Sequence, residues 1–157
     1  MILRQSFLIL IALLLAVACS QSTGDSHIDA ADSVPGLTKK TLRTGYGRVA
    51  VDGDFVEVHY TGWLYDENAA DNRGQQFDSS IDRNERFQFM LGAGQVIKGW
   101  DQGIVGMLIG EVRELKIAPE LAYGERDLGV IPPGSTLIFE VQLFALEGPE
   151  SSAPDSH

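Results

Sequence analysis

Groups that ordinarily carry catalysis are sparse in this chain. Its three histidines stand apart: His27 in a polar N-terminal stretch, His59 on the polar side of an alternating segment, and His157 at the last position. No cluster of them can hold a metal ion or serve a serine nucleophile as base. The one cysteine, Cys19, can neither close a disulfide within the chain nor build a thiolate metal site. Gly92-Ala-Gly94 followed by Gly99 superficially suggests a phosphate cradle, but the spacing fits neither the dinucleotide nor the Walker pattern. Asp78 with Asp82, and Glu67 with Asp71, lie close in sequence; in an acidic chain such carboxylates are ordinarily solvated surface. What the chain offers instead is aromatic: Tyr60, Phe77, Phe87, Phe89, Trp100, Tyr123 and Phe139, set among glycines and a few polar groups. Periodicity alone reads these simply as core.

The elements that must position them show a period of two. Phe55 to Tyr60 puts Val56, Val58 and Tyr60 on one face and Glu57 and His59 on the other, the pattern of a half-buried strand. Arg86 to Leu91 aligns Phe87, Phe89 and Leu91. Glu111 to Ala118 sets Arg113, Leu115 and Ile117 opposite Val112, Glu114 and Lys116, and Thr136 to Leu146 aligns Leu137, Phe139, Val141 and Leu143. Thr38 to Arg43 is a weaker strand whose apolar content is mainly Leu42. Only Val96, Ile97, Trp100 and Ile104 recur at helical spacing, and Gly99 and Gly103 weaken that helix by ~1 kcal/mol each relative to alanine. Such a helix must be held by packing against something broad. An antiparallel sheet wrapped around it, an α+β arrangement, satisfies that need.

Composition narrows the partners. The 157 residues fit one domain, and 12 Lys and Arg against 22 Asp and Glu give a net charge of −10 with no compensating basic cluster. Such a chain would be repelled by a phosphate backbone, which disfavours nucleic acid as a partner. With 17 Gly and 6 Pro, many turns are expected.

The 44% hydrophobic content includes an uninterrupted apolar run from Phe7 to Ala18, preceded by Arg4 and ended by small residues. That is the pattern of a secretory signal peptide, and the run is short of the roughly 20 residues that a spanning helix needs. A buried core helix is the competing reading, but nothing polar patterns a solvent face. Ala16-Val17-Ala18-Cys19 resembles the lipobox of bacterial lipoproteins, with Ala16 where Leu is preferred. The resemblance implies lipidation of Cys19 and attachment within the bacterial cell envelope. Ser20, in place of Asp, implies the outer membrane, facing the periplasm. Stable attachment takes two or more acyl chains, which the modified cysteine of a lipoprotein supplies. Ordinary cleavage near Ala18, leaving an idle thiol, is the alternative. The organisation expected is a signal peptide over 1–18, a flexible tether over 19–37, a folded domain over 38–147 and a disordered tail over 148–157.

Several strings within the domain are specific. Val58-His-Tyr-Thr-Gly62, Phe77-Asp-Ser-Ser80, Phe87-Gln-Phe-Met-Leu-Gly92, Val96-Ile-Lys-Gly-Trp100, Ala122-Tyr-Gly124 and Ile131-Pro-Pro-Gly134 occur in the order found in the FKBP-type peptidyl-prolyl isomerases, which the domain resembles over nearly its whole length. Leu137 to Leu143 looks like that family's closing strand. The resemblance implies a curved antiparallel sheet of about five strands around one short helix, with an apolar pocket between them. It implies Trp100 as the pocket floor, Tyr60, Phe77, Phe87, Val96, Ile97 and Phe139 as walls, and Tyr123 and Ile131 at the rim. Phe89 would support Phe87. Tyr60, Asp78, Tyr123 and Phe139 are the implied catalytic residues; Tyr123 would donate to a substrate carbonyl, and Asp78 would form a small network with the Tyr60 hydroxyl. The implied partners are proline-containing unfolded or partly folded polypeptides and macrolide inhibitors, with the membrane reached through the lipid anchor. No metal and no cofactor are implied.

Three departures from the family pattern stand out. The stretch 63–76 is about seven residues longer than in minimal members, a length that a surface turn tolerates at little entropic cost. Gln95 stands where some members have an acid, and the loop 124–130 is about one residue short and carries Leu128, which bears on substrate preference. Three functions compete: an isomerase for exported proteins, a chaperone or binding module using the same pocket with little catalysis, and an envelope scaffold. Retention of Tyr60, Asp78, Trp100, Tyr123 and Phe139 together favours the first.

Overall fold

The alternating segments become the central strands of a curved sheet in a computed structural model, which describes residues 34–148. The segment expected to be a signal peptide, the lipidation expected at Cys19, and most of the stretches expected to be a tether and a tail lie outside the described residues. The elements are β1 (Leu37–Arg43), β2 (Tyr46–Val49), β3 (Phe55–Tyr65), β4 (Arg73–Ser79), β5 (Phe87–Met90), α1 (Lys98–Ile104), β6 (Leu108–Ile109), β7 (Val112–Ile117) and β8 (Leu137–Glu147). Short 3-10 turns span Ala70–Asn72 and Pro119–Leu121. The main sheet is antiparallel with strand order β1-β7-β8-β3-β4, and β5 pairs with the other part of β3.

The free edge of β3 is thus divided. Phe55–Val58 pair with β5, and Thr61–Tyr65 pair with β4. Between the two partners Ser80 takes over the ladder: its Oγ accepts from Tyr60 N at 2.8 Å and its own N donates to Tyr60 O at 3.0 Å. Tyr60 therefore sits at a break in strand pairing, where a cleft can open without leaving its backbone unsatisfied.

The inward faces are those read from the sequence. Val56, Val58, Leu115, Ile117, Leu137, Val141 and Leu143 are fully buried, with Tyr60 and Phe139 beside them. Each such aliphatic side chain contributes about 1.5–3 kcal/mol by leaving water.

The main sheet has six strands, not about five, because β4 carries no apolar period to announce it. The stretch 63–76, read as a polar loop, is mostly a hairpin: β3 continues to Tyr65 and β4 begins at Arg73. Asp71 and Asn72 make the reversal at φ 53° and 57°, a region that Asp and Asn tolerate better than most residues. A separate two-stranded pair joins β2 and β6; strands of four and two residues are too short to show a period in the sequence.

The two glycines that weaken α1 have a packing reason. A Cβ on Gly99 would collide with Ile117, and one on Gly103 would come within 2.8 Å of Leu115 Cδ1. The helix lies flat on β7 because it has no side chain there, and that close approach presents Trp100 to the opposite side.

Candidate active site

A cleft of about 190 Å³ opens between α1 and the sheet. Its walls come from separate elements: Tyr60 from β3, Phe77 and Asp78 from β4, Phe87 from β5, Gln95 to Ile97 from the segment before α1, Trp100 from α1, Tyr123 from the segment after the second 3-10 turn, and Phe139 from β8. Trp100 lies at the centre, only 4% exposed. Its ring meets Tyr60 edge-on at 5.0 Å and Phe139 at 5.2 Å, with Phe87 at 6.0 Å and Phe89 at 5.8 Å. Edge-to-face pairs of this kind contribute ~0.5–1.5 kcal/mol beyond burial and fix ring orientation.

The aromatic residues divide as core and wall. Phe89 is buried at 2% and stacks on Phe87, which is 38% exposed and faces the cleft. Gly62 allows Phe77 and Phe139 to meet edge-on at 5.5 Å, because a Cβ there would strike both rings. Ile131, expected at the rim, is instead 5% exposed in the apolar core and does not line the cleft. Its carbonyl accepts from Leu128 N at 3.1 Å, folding the loop back and leaving Leu128 and Val130 exposed.

Asp78 is the single formally charged residue among those lining the cleft, and it is held from two sides. The Tyr60 hydroxyl donates to its Oδ2 at 2.5 Å, and Arg83 forms an ion pair with its Oδ1 while donating to the Tyr60 hydroxyl at 3.0 Å. Burial alone would raise the Asp78 carboxyl; the hydrogen bonds from Tyr60 and Arg83, with the Arg83 charge, outweigh it and hold the group below the ordinary carboxylate value. Burial raises the Tyr60 phenol, and its bond to Asp78 raises it further. Burial and the Asp78 charge likewise raise Tyr123. At neutral pH the site therefore holds an ionised carboxylate with its lone pairs engaged and two protonated phenols.

Arg83 was missed from the sequence. It lies in the turn after β4, where an arginine five residues beyond an aspartate follows no spacing rule. Gln95 does more than stand in for an acid: its Oε1 accepts from Met90 N at 3.0 Å and ties the segment before α1 to the end of β5. The Tyr123 hydroxyl has no hydrogen-bond partner among the described residues, so its proton is free for a ligand oxygen. His59, on the outer face, lies 2.8 Å from Ser80 Oγ and edge-on to Phe144, away from the cleft.

Residues 47–144 match the family described as FKBP-type peptidyl-prolyl cis-trans isomerase. The chain is 51% identical over 113 residues to FK506-binding protein 2B of Rhizopus delemar, covering 71% of this chain and 51% of that protein. It is 51% identical over 110 residues to the FK506-binding protein of Neisseria meningitidis serogroup B, covering 69% of this chain and 94% of the relative. The chain spans about half the length of the Rhizopus protein and 58% of FK506-binding protein 2 of Podospora anserina. Among solved structures, the crystal structure of AtFKBP13 is similar at a TM-score of 0.64 with 42% identity, covering 73% of this chain and 96% of that one.

Proposed function

The chain belongs to the family of FKBP-type peptidyl-prolyl cis-trans isomerases, and from that membership we propose that its aromatic cleft accelerates rotation about X-Pro bonds in polypeptides by binding the twisted amide. The carrying observation is the cleft itself: Trp100 at its centre, framed by Tyr60, Phe77, Phe87 and Phe139, with one carboxylate already satisfied by its neighbours.

The chemistry follows from the amide. Rotation crosses a barrier of roughly 18–20 kcal/mol because resonance gives the C–N bond partial double-bond character. The planar amide is polar, and at 90° of twist much of that polarity is lost. An apolar, water-poor site therefore stabilises the twisted form relative to the planar one, which is preferential binding of the transition state. No bond is made or broken and no proton need move.

The proline ring rests on Trp100, with Phe77 and Phe139 excluding water from one side. The Tyr123 hydroxyl donates to a substrate carbonyl. Asp78, fixed by Tyr60 and Arg83, lies beside the twisting carbonyl as an oriented charge, not as a base. Shape and desolvation contribute more than any single hydrogen bond, since one neutral bond is worth ~0.5–1.5 kcal/mol, at most about tenfold in rate.

The clients proposed are exported proteins whose folding waits on slow X-Pro isomerisation, and the placement proposed is the bacterial envelope, with Cys19 lipidated and the polar stretch after it as tether. The support for that placement is the apolar run ending at Ala16-Val17-Ala18-Cys19. The deciding measurement is the isomerisation rate of a short Xaa-Pro peptide with the purified chain, with and without FK506. Acceleration abolished by the macrolide is expected. Macrolide binding without acceleration would make the protein a binding module.

A further inference from the structure

We propose that Arg113, a buried residue of β7 outside the cleft, is a positioning residue for Trp100: it clamps the C-terminal end of α1 and so sets where the indole stands in the site.

An α-helix of seven residues with glycine at two of them has little stability of its own, so its position is set by what holds it. Its front is held by Asp101, whose carboxylate accepts from Gly92 N at 2.9 Å and Gly94 N at 3.0 Å. Its flank is held by the contact of Gly99 and Gly103 with Ile117 and Leu115. Its end poses a different problem. The last carbonyls of a helix lack intrahelical partners, and no basic residue lies in the last turn to meet them.

Arg113 supplies the missing donors from the neighbouring strand. Its Nη1 donates to Gly103 O at 2.8 Å and to Val105 O at 3.1 Å, and its Nη2 donates to Gly106 O at 3.2 Å. The guanidinium is fixed in turn by Glu111, whose Oε1 lies 2.8 Å from both Nε and Nη2. Those contacts account for all five N–H groups of the arginine. Glu111 is itself tied to β1 and to the segment after α1, accepting from Thr41 Oγ1 at 3.1 Å and from Leu108 N at 2.9 Å. Arg113 and Glu111 are 9% and 3% exposed, so the network is shielded from water.

Trp100 lies one turn before Gly103, and its edge contacts with Tyr60 and Phe139 at 5.0 and 5.2 Å leave little tolerance. Releasing the helix end would let the indole drift against rings that do not move with it. Lysine in place of Arg113 would present three donors without the planar fork, and could restore the clamp only in part.

The test uses a Trp63→Phe background, in which Trp100 is the sole tryptophan of the chain. Arg113→Gln, Arg113→Lys and Glu111→Gln are compared well below their melting temperatures. Arg113→Gln is expected to lower kcat by about tenfold with KM changed less than about threefold, to shift Trp100 emission to the red and to open it to acrylamide quenching. Arg113→Lys is expected to recover about a third of the lost rate. A lowered melting temperature with kcat and Trp100 emission unchanged would make the network merely stabilising and overturn the proposal. Should Arg113→Gln fail to fold, unchanged emission and kcat in both Arg113→Lys and Glu111→Gln would overturn it equally. The kinetic arm rests on the isomerase reading; the fluorescence arm does not. A parent chain without isomerase activity would defeat that reading while emission and quenching still decide the positioning.

Discussion

The Phe77 and Phe139 rings meet edge to face at 5.5 Å directly over the backbone of residue 62, and only a glycine there permits it. A Cβ at that position would come within 2.6 Å of Phe77 Cζ and 2.8 Å of Phe139 Cε1. One wall of the cleft thus depends on a missing methyl group in β3. Gly62→Ala is expected to destabilise the fold by about 1–3 kcal/mol through overpacking and to lower kcat/KM by at least about tenfold by splaying the two rings. Calorimetry and a peptide isomerisation assay check both. A variant that loses stability while keeping its rate would show that the wall need not be tight.

Shape and hydrogen bonding can be set against each other. Tyr123→Phe removes one hydroxyl and keeps the ring, so a loss of less than about tenfold is expected. Phe139→Ala opens the wall beside Trp100 to water and should lose considerably more, alongside about 3–5 kcal/mol of stability. Phe139→Leu, which keeps the site dry, should fall between them. Were Tyr123→Phe the more damaging change, desolvation would not be the leading contribution.

The pH profile follows from the Asp78 group. Its folded value lies below the ordinary 3.8, so its contribution to stability is fully present above the ordinary range and is lost as pH falls through the folded value. The phenols of Tyr60 and Tyr123 are raised above their usual 10, so their contribution is complete below that value and is lost as pH rises through the folded one. The isomerisation rate is therefore expected to be flat from about pH 5 to 9, with no bell, since no proton is transferred. Asp78→Asn should keep that flat profile at a lower rate and reduce the acid-side dependence of stability, leaving the part that comes from Glu57, which is lowered by its hydrogen bonds from Arg86 and Gln88. A bell-shaped profile centred near neutrality would contradict the mechanism.

How much of this was legible in the sequence depended on whether one face of a segment was buried. β3, β7 and β8 show their alternation because their inner faces are core, and Val58, Leu115 and Val141 fall where the period puts them. β4 begins Arg-Gly-Gln-Gln along the sheet edge, and no periodicity distinguishes that from a loop. The site was legible by family pattern and not by physics alone. Phe87 and Phe89 lie on the same side of one strand, yet one is half-exposed at the cleft and the other is buried beneath it, a difference that alternation does not distinguish. Ile131 went the other way, because the backbone of its loop turns it into the core. Arg83 and Arg113 carried no signal of role: Arg83 reaches Asp78 across a turn with no characteristic spacing, and Arg113 acts mainly on backbone oxygens, which no side-chain pattern marks.

The anchor is testable apart from the cleft. Wild-type chain expressed in a bacterial host is expected to partition with membranes and to gain the mass of an acylated cysteine after loss of residues 1–18. Cys19→Ser should be released into the soluble fraction with its isomerase rate unchanged within about twofold, because two or more acyl chains are what make attachment stable. If Cys19→Ser still partitions with membranes at the same processed mass, the lipoprotein reading fails and the isomerase reading is untouched.

Gly99 sets helix propensity against packing. Replacing a helical glycine by alanine ordinarily stabilises by about 1 kcal/mol, so propensity alone predicts a gain from Gly99→Ala. Packing predicts a loss, because the added Cβ collides with Cγ2 and comes within 2.8 Å of Cδ1 of Ile117, a fully buried side chain on β7 that cannot swing aside. Overpacking costs about 1–3 kcal/mol and should win. The conflict has a signature. Ile117→Ala alone is expected to cost about 2–5 kcal/mol by opening a cavity, and adding Gly99→Ala to it should recover part of that loss, since the new methyl then fills space instead of colliding. The same substitution therefore changes sign between the two backgrounds. Denaturant unfolding of the four chains in that cycle measures it. A Gly99→Ala chain more stable than wild type would mean that α1 does not rest on β7 as described, and that the seat of Trp100 is looser than its ring contacts imply.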